Sequence, residues 1–480
     1  MVSDELKYRI LQSFGLHPTA DQSHAVDVFS TFMTDRDSHT VMVLRGSAGT
    51  GKTTLAGAIV RALSALKQSM VLMAPTGRAA KVFSRYAGSP AYTIHRRIYR
   101  QKSLEGGFSL QFNSAHDTLF IVDEASMIAN SDTPLLDDLI SFVYNGRNCR
   151  LMLIGDRAQL PPVGETESPA LMPNTLRAYG MQVYHADLNE VLRQSQESGI
   201  LYNATVIRNI TLAQLPKIRL GFPDIRNVPG DELIETMSTS YSRVGIDETM
   251  VVTRSNKRAN IYNQGIRNQI LGREDELCTG DLLMIVKNNY YWTSLSPKLG
   301  DDRGLNKGEI VPSAPQPPNL GGLDFIANGD LAVVRRVRNI HELYGFRFAD
   351  VTMTFPDYDN YELTATVLLD TLFAESPALT REQQQQLYEK VMEDYADIPR
   401  KADRISKLKE DRYFNALQVK FAYAVTCHKA QGGQWAHVYI DQGYMTDDML
   451  SADYIHWLYT AFTRATEHLF LVNWPKTQIV

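Results

Sequence analysis

The glycine-rich stretch at residues 46–53 constrains this chain more than any other feature. It reads Gly-Ser-Ala-Gly-Thr-Gly-Lys-Thr, follows the apolar run 41–44, and leads into a helix-compatible run that begins at Lys52. Glycines let a backbone wrap closely around phosphate, so that several amide N–H groups and a helix N-terminus face it. Lys52 adds a cation for the β- and γ-phosphates, and Thr53 adds a hydroxyl for Mg²⁺. The stretch therefore predicts a strand, a phosphate-binding loop and a helix that together bind ATP.

Length and composition indicate a multidomain globular protein. The chain has 480 residues, of which 44% are apolar, and is too long for one core. No run of 18 or more apolar residues occurs, and the first ten residues carry charges and lack an apolar signal core, which predicts a cytoplasmic location. The three cysteines lack the spacing of a metal site or a disulfide framework, and no cluster of nuclease-type carboxylates is visible.

The formal net charge of −5 hides an uneven distribution of basic residues. Three windows, at 77–104, 251–273 and 412–440, contain arginine, lysine or both but no aspartate or glutamate. They predict one basic groove that follows a nucleic-acid backbone, although such runs are also found on ordinary solvated surfaces.

Two further segments carry carboxylate and amide groups at predicted strand ends. The apolar run 119–122 leads directly into Asp123 and Glu124, and the run 151–154 leads into a loop that contains Gln159. Neighbouring side chains of an extended segment point to different sides, so we assign Asp123 to Mg²⁺ and Glu124 to the attacking water. Gln159 can hydrogen-bond the γ-phosphate or the water without adding charge.

These segments resemble the first motifs of superfamily 1 helicases, and the later motifs follow in order. The matching stretches are 46–53, 74–76, 123–126, 155–163, 188–194, 423–432 and 458–465. The resemblance is strongest to the RecD-like branch with the phage Dda-type helicases, and Pif-type helicases are near relatives. Residues 18–22 are similar to the adenine-reading segment of that branch, with Gln22 as the reader.

The resemblance implies an α/β fold of two RecA-like P-loop motor domains. The first spans 1–187 and carries a hairpin insertion at about 96–117. The second spans 188–286 and 415–480. An SH3-like barrel with a long loop and a helical stalk is inserted at 287–414. The helical part at 380–417 is expected either to brace the barrel or to be a solvated helical pair.

The resemblance also assigns roles to individual residues. The catalytic set is Lys52, Asp123, Glu124, Gln159, Arg193 and Arg464, with the two arginines matching the motif positions that stabilise the γ-phosphate across the domain boundary. The nucleotide set is Gln22, Gly46, Ser47, Ala48, Gly49, Thr50, Gly51, Lys52, Thr53, Thr54 and Gly432, and Thr53 and Asp123 are the metal ligands. The predicted contacts with single-stranded DNA are Pro75, Thr76, Thr93, His95, Thr426 and His428. One departure from the family is Gln434, which stands where many members have an acidic residue.

The stretch 104–112 predicts a short β-hairpin with a turn at Gly106-Gly107. It resembles the strand-separating pin of the RecD-like branch, with Phe108 and Phe112 as its aromatic residues. An ordinary surface hairpin is the alternative interpretation.

Taken together, the sequence predicts an ATP- and Mg²⁺-dependent DNA helicase that translocates 5′ to 3′ on a single strand and unwinds forked duplex. The polarity is implied by the resemblance alone. An RNA helicase or remodeller of the same superfamily, and an ATP-switched single-strand-binding module without unwinding, are the competing hypotheses. We expect a monomer, and the sequence leaves replication or recombination proteins open as partners.

Overall fold

The computed structural model describes residues 2–103, 106–131, 134–191, 197–210, 215–289, 291–294 and 326–480. They form two compact units. The first comprises Met1–Gln101, Phe108–Gly272 and Tyr423–Val480, and the second comprises Lys102–Gly107 and Arg273–Ala422.

The strands are β1 (Thr40–Gly46), β2 (Met70–Ala74), β3 (Ala91–Thr93), β4 (Tyr99–Ser103), β5 (Gly106–Leu110), β6 (Leu119–Val122), β7 (Arg150–Gly155), β8 (Gln182–Leu188), β9 (Ile225–Val228), β10 (Thr249–Thr253), β11 (Leu282–Ile285), β12 (Leu331–Leu343), β13 (Phe346–Phe355), β14 (Tyr361–Leu368), β15 (Leu417–Phe421), β16 (Ala424–Thr426), β17 (Trp435–Asp441) and β18 (Ala465–Val472).

The helices are α1 (Val2–Phe14), α2 (Ala20–Thr34), α3 (Lys52–Ala65), α4 (Gly77–Ala87), α5 (Ile94–Ile98), α6 (Leu135–Tyr144), α7 (Pro173–Ala178), α8 (Gly199–Arg208), α9 (Leu233–Val244), α10 (Asn256–Gly265), α11 (Tyr291–Ser294), α12 (Arg381–Asp394), α13 (Lys401–Lys409), α14 (Cys427–Ala430) and α15 (Ala452–Phe462). A π-helical turn, Ile266–Ile270, continues α10.

The first sheet of the first unit is parallel throughout, with strand order β3-β2-β6-β7-β1-β8. Its central strands β6, β7 and β1 are buried along almost their whole length because both faces of the sheet are covered. On β1, Met42 and Leu44 belong to the core formed with α1 to α3, whereas Val41 and Val43 belong to the core on the opposite face. The loops after β1, β2, β6 and β7 therefore meet at one edge of the sheet, where ligands bind in such folds.

The second sheet of this unit is also parallel, with order β16-β10-β17-β18-β9. Asn263 of α10 secures its edge, since its side chain donates to the Ala424 carbonyl at 3.0 Å and accepts from the Ala424 amide at 2.8 Å. The two parallel sheets confirm the predicted pair of RecA-like domains.

The second unit contains a closed five-stranded barrel of β11 to β15, which confirms the expected SH3-like insertion. β11 pairs with both β12 and β15, so the barrel includes residues on both sides of the predicted 287–414 boundaries. The boundaries at 286 and 415 are therefore wrong by a few residues, because these two strands close the barrel.

The helices α12 and α13 pack on the barrel. Leu387 and Val391 of α12 and Leu408 of α13 are buried in one cluster with Phe346 and Phe348 of β13. Their few apolar residues are thus used in packing, which favours the bracing interpretation over a solvated helical pair. The long loop predicted within the insertion lies largely outside the described residues, which omit 295–325.

A separate two-stranded sheet of β4 and β5 confirms the predicted hairpin. Gly106 and Gly107 lie inside β5, so the predicted turn at Gly106-Gly107 is wrong. β4 ends at Ser103 and β5 begins at Gly106, and residues 104–105 lie outside the described part of the chain. In the described parts of the chain, every helix is too short or too polar to cross a bilayer.

Candidate active site at the phosphate loop

The loop between β1 and α3 has the backbone that a phosphate-binding loop requires. Gly49 and Gly51 have φ values of +79° and +75°, a region that residues with a side chain rarely adopt. Gly51 is the N-cap of α3 and supplies no capping side chain, so the first amides of the helix are left for an anion. The Lys52 ammonium donates to the Gly46 carbonyl at 3.2 Å. The hydroxyl-bearing Thr53 is exposed at the start of α3.

Gln22 fixes the phosphate loop to α2. Its Nε2 donates to the Thr50 carbonyl at 3.0 Å, and its Oε1 accepts from the Thr19 amide at 3.0 Å in a capping box. The side chain is almost fully buried. Adenine reading by Gln22 stays a prediction, and the contacts give it a structural role that the sequence did not suggest.

Asp123 is held firmly at the end of β6. One carboxylate oxygen accepts from the Tyr86 hydroxyl of α4, and the other accepts from the Glu124 amide at 2.8 Å. Burial, and then the Glu124 charge, raises the pKa of Asp123, whereas Lys52 and the Tyr86 hydrogen bond oppose that rise. A cation beside it therefore favours its charged form.

Glu124 differs from its neighbour in both backbone and partners. Its φ is +52°, in the left-handed region that residues with a side chain rarely adopt. Its Oε2 is buried and makes no hydrogen bond. The same is true of Oε1 of Gln159, in the loop after β7.

These orphaned atoms fit the predicted chemistry. Buried polar atoms are nearly always hydrogen-bonded, so an unpaired one calls for a partner such as a bound water or ligand. Both atoms are acceptors, and a water molecule donates two hydrogen bonds, so Glu124 and Gln159 suit the attacking water of a phosphoryl transfer. No group of three or more metal-binding side chains exists in the described part of the chain. Mg²⁺ suits the donors Asp123 and Thr53, because it takes few protein ligands and completes its shell with phosphate and water.

Helix α15, which leads into β18 of the second sheet, contacts this site with one face. The hydroxyl of Tyr459 donates to Asp156 at 2.5 Å and accepts from the Ala48 amide of the phosphate loop at 2.9 Å. Thr460 accepts from the Leu160 amide at 2.8 Å, and His456 Nδ1 lies 2.9 Å from the Ala158 carbonyl. These contacts attach α15 to both the phosphate loop and the loop after β7.

Arg464 is held within its own sheet. The side chain is 2% exposed, and its guanidinium donates to the Thr460 carbonyl, the Gly433 carbonyl and the Thr463 hydroxyl at 3.0, 3.1 and 3.1 Å. Three of its five N–H donors are used in this way. A catalytic role for Arg464 stays a prediction. Arg193 lies outside the described residues.

The predicted DNA contacts occupy helix starts. Thr76 and Thr93 are the N-caps of α4 and α5, and each hydroxyl accepts from an amide at 3.2 Å, which leaves the O–H to donate. Thr93 is buried, whereas Pro75 and Thr76 are partly exposed. Burial lowers the pKa of His95, so its imidazole is neutral near pH 7.

The remaining predicted contacts lie at α14. Thr426, at the N-cap, makes no capping hydrogen bond, and His428 is exposed. Gly432 follows with φ +72°, and a side chain there would stand 3.1 Å from Thr76 Oγ1 and from Ala79 Cβ. Both the backbone conformation and the close approach to α4 therefore favour glycine at this position. Nucleotide binding by Gly432 stays a prediction.

Arg78 contacts Gln434, the residue at which the sequence departs from the family. Its guanidinium lies 4.5 Å from the centre of the Trp435 ring and donates to the Gln434 carbonyl at 2.6 Å. The contact with Gln434 uses its backbone, so it needs no acidic side chain.

Phe112, beyond the end of β5, is 81% exposed, and the side chain of Phe108 lies outside the described residues.

A cavity of about 800 Å³ adjoins the phosphate loop. Its lining includes Gly46 and Ser47 of that loop, Asp156, Arg208 of α8 and His456 of α15. It is large enough for polar ligands and water on the side of the loop that α15 approaches.

Sequence reasoning missed Tyr459, Thr460, Tyr86 and Asp156. A helical signal existed for two of them, since His456, Tyr459 and Thr460 are spaced to share one face of α15. The partners of that face could not be inferred, because they are about 300 residues earlier in the chain.

Comparisons with known proteins agree with this arrangement. Residues 18–210 match the family described as AAA domain, and residues 421–472 match the UvrD-like helicase C-terminal domain. An uncharacterized protein of Acanthamoeba polyphaga mimivirus is 24% identical, with 91% of this chain and 96% of that protein covered.

Two relatives have named activities. The ATP-dependent DNA helicase dda of Enterobacteria phage T4 is 26% identical, over 61% of this chain and 66% of its own length. The ATP-dependent RecD2 DNA helicase of Deinococcus radiodurans is 28% identical, over 52% of this chain and 34% of its own length. The chain thus spans about two thirds of the first of these relatives and one third of the second.

The fold and the site define a P-loop NTPase with two RecA-like sheets and an inserted barrel. Within that class, the chain is related to the superfamily 1 helicases of the RecD-like branch, which confirms the resemblance noted from its motifs.

Proposed function

We propose that this chain is an ATP-dependent DNA helicase that moves 5′ to 3′ on a single strand and separates forked duplex. The observation that carries the proposal is the hydroxyl of Tyr459, on α15 just before β18 of the second sheet, bonded to the Ala48 amide of the phosphate loop after β1 of the first sheet. Nucleotide bound at that loop therefore lies where two sheets touch, and its hydrolysis changes their contact. Relative movement of two such domains along a strand is translocation.

In the proposed mechanism, the phosphate loop and Lys52 hold the β- and γ-phosphates. Asp123 and Thr53 would hold Mg²⁺, which neutralises charge on the phosphates when bound. Glu124 takes a proton from the attacking water, and Gln159 orients that water. Arg464 stabilises the charge that develops on the γ-phosphate.

We propose that the DNA track runs over the helix starts of α4, α5 and α14. Hydroxyl donors of Thr76 and Thr426 and the imidazole of His428 suit phosphate oxygens, which are identical at every step and carry no base sequence. Translocation is therefore independent of sequence. The hairpin of β4 and β5, with Phe112 exposed, is proposed as the element that stands at the fork.

ATP turnover measured with and without oligothymidylate tests the function. Wild-type protein should hydrolyse ATP faster with the oligonucleotide, and Lys52→Ala should lose turnover because the cation beside the phosphates is gone. Retained turnover in Lys52→Ala would contradict the site. Stimulation by oligouridylate but not oligothymidylate would instead favour the RNA helicase, which differs in contacts to the 2′-hydroxyl. The cytoplasmic location and monomeric state remain predictions.

A further inference from the structure

Tyr459 makes different contacts from its neighbours on α15. His456 and Thr460 contact the loop after β7, whereas Tyr459 contacts that loop and the phosphate loop through one oxygen atom. The side chain is 1% exposed, so the hydroxyl is fixed by packing and by its two partners.

Both partners belong to the chemistry of the site. Ala48 lies within the phosphate loop, two residues after Gly46, and its amide orientation depends on the acceptor that it faces. Asp156 lies in the loop that carries Gln159, and its second oxygen accepts from the Ala158 amide at 2.9 Å. The Gln159 amide in turn donates to the Asp156 carbonyl at 3.3 Å. A shift of the Tyr459 hydroxyl therefore reaches the phosphate loop and the backbone of Gln159 together.

Further contacts connect α15 and the loop after β7 to α14, on the proposed DNA track. α14, which carries His428, packs against α15, and the Cys427 thiol donates to the Trp457 carbonyl at 3.5 Å. Just after α14, Gln431 donates to the Leu160 carbonyl at 2.6 Å. A strand that binds at α14 thus contacts a segment fixed directly to α15 and to the loop after β7.

We propose that Tyr459 is a positioning residue that transmits strand binding at α14 to the phosphate loop. This inference rests on the function proposed above. Strand binding fixes α14 and α15, and the Tyr459 hydroxyl then holds the Ala48 amide and Asp156 in the arrangement that places Gln159 for hydrolysis. Without the hydroxyl, nucleotide and strand each still bind, but neither affects the other.

The test compares Tyr459→Phe with Tyr454→Phe. Tyr454 lies on the same helix, is 2% exposed, and donates to Oε1 of Gln442 at 2.6 Å, so its variant also loses one buried hydroxyl contact. Both variants keep the aromatic ring. Far-ultraviolet circular dichroism and thermal unfolding check that both are folded.

The first readout is equilibrium binding of a fluorescent, non-hydrolysable ATP analogue with and without oligothymidylate. The ratio of the two Kd values measures the coupling between the sites. Wild-type protein and Tyr454→Phe should share one ratio, whereas Tyr459→Phe should give a ratio within about twofold of unity. Its Kd without the oligonucleotide should stay within about threefold of wild type, because its lost hydroxyl is not a phosphate ligand.

The second readout is ATP turnover. Relative to Tyr454→Phe, Tyr459→Phe should lower the oligothymidylate-stimulated rate by roughly tenfold to a hundredfold, the scale of one hydrogen bond to a charged group.

Each outcome has one meaning. If Tyr459→Phe matches Tyr454→Phe in both coupling and stimulated rate, Tyr459 only packs, and this inference is wrong while the helicase assignment stands. If wild-type protein shows stimulated turnover but no coupling in binding, the inference is also wrong. If wild-type protein shows no turnover with any nucleic acid, the proposed function fails and this inference fails with it.

Discussion

Replacing Glu124 with glutamine separates the roles of the two carboxylates at the end of β6. The variant keeps the shape of the side chain but cannot take a proton from water. Loss of a general base costs about a hundredfold to ten-thousandfold in rate, equivalent to about 3 to 5 kcal/mol of barrier. We expect turnover with oligothymidylate to fall by that factor.

The structure also predicts what Glu124→Gln leaves intact. Asp123 is held by the Tyr86 hydroxyl and by the backbone amide of residue 124, and neither contact involves the side chain that changes. The Glu124 charge raises the pKa of Asp123, so its removal lowers that pKa and favours the carboxylate. Mg²⁺-dependent nucleotide binding should therefore be unchanged or tighter.

The assay pairs phosphate release with binding of a fluorescent ATP analogue over a Mg²⁺ titration. Asp123→Asn serves as the comparison, and it should weaken Mg²⁺-dependent binding as well as turnover. The reasoning is refuted if Glu124→Gln loses nucleotide binding while Asp123→Asn retains it, because the metal ligand would then be Glu124.

Three other predictions test separate parts of the account. Arg464→Ala should preserve ATP binding but slow hydrolysis by about a thousandfold, as for arginine fingers elsewhere, and a normal rate in a phosphate-release assay would remove it from the site. Phe112→Ala should reduce unwinding while leaving stimulated ATP turnover within a few fold of wild type, since base stacking on one ring stabilises by about 1 to 3 kcal/mol; equal unwinding would make the hairpin ordinary surface. In the barrel, burial raises the pKa of Asp330 to about 7, so its folded state prefers the proton and loses stability as pH rises from the unfolded value towards 7. Chemical unfolding should show the stability of wild type relative to Asp330→Asn falling by about 1.4 kcal/mol per pH unit between pH 5 and 7 and levelling off above pH 8, and a constant difference would contradict the shift.

The local chemistry of the first sheet was predictable because its signals are contiguous in sequence. The phosphate loop needs Gly49 and Gly51 at positive φ, and the carboxylates follow a four-residue strand whose residues are all buried. Each element carries its own apolar pattern and its own turn residues, so no distant information is required.

The predicted basic groove shows what sequence could not give. Within the three acid-free windows, Arg258 pairs with Asp441 at 2.7 Å, and Arg78 stacks on Trp435. A window without acids does not exclude acids or aromatic rings that distant segments bring to it. These arginines therefore stabilise the fold and cannot all be counted as contacts for a strand.

The contact of α15 with the loops of the first sheet could not be predicted from the sequence either. Tyr459 and its partners Asp156 and Ala48 are separated by more than 300 residues, and nothing in local periodicity says which loop a helix face will meet. The same limit applies to Asn263, whose side-chain contacts with the edge strand β16 join segments about 160 residues apart.

Strand displacement is the most direct test of the central claim. Duplexes with a 5′ tail, a 3′ tail or no tail, each with a labelled strand, are incubated with the protein, ATP and Mg²⁺, and Lys52→Ala is the control. The account predicts release of the labelled strand from the 5′-tailed duplex alone, and only with hydrolysable ATP. Release from the 3′-tailed duplex alone would contradict the polarity, and no release from any duplex despite DNA-stimulated ATP turnover would contradict the assignment as a helicase.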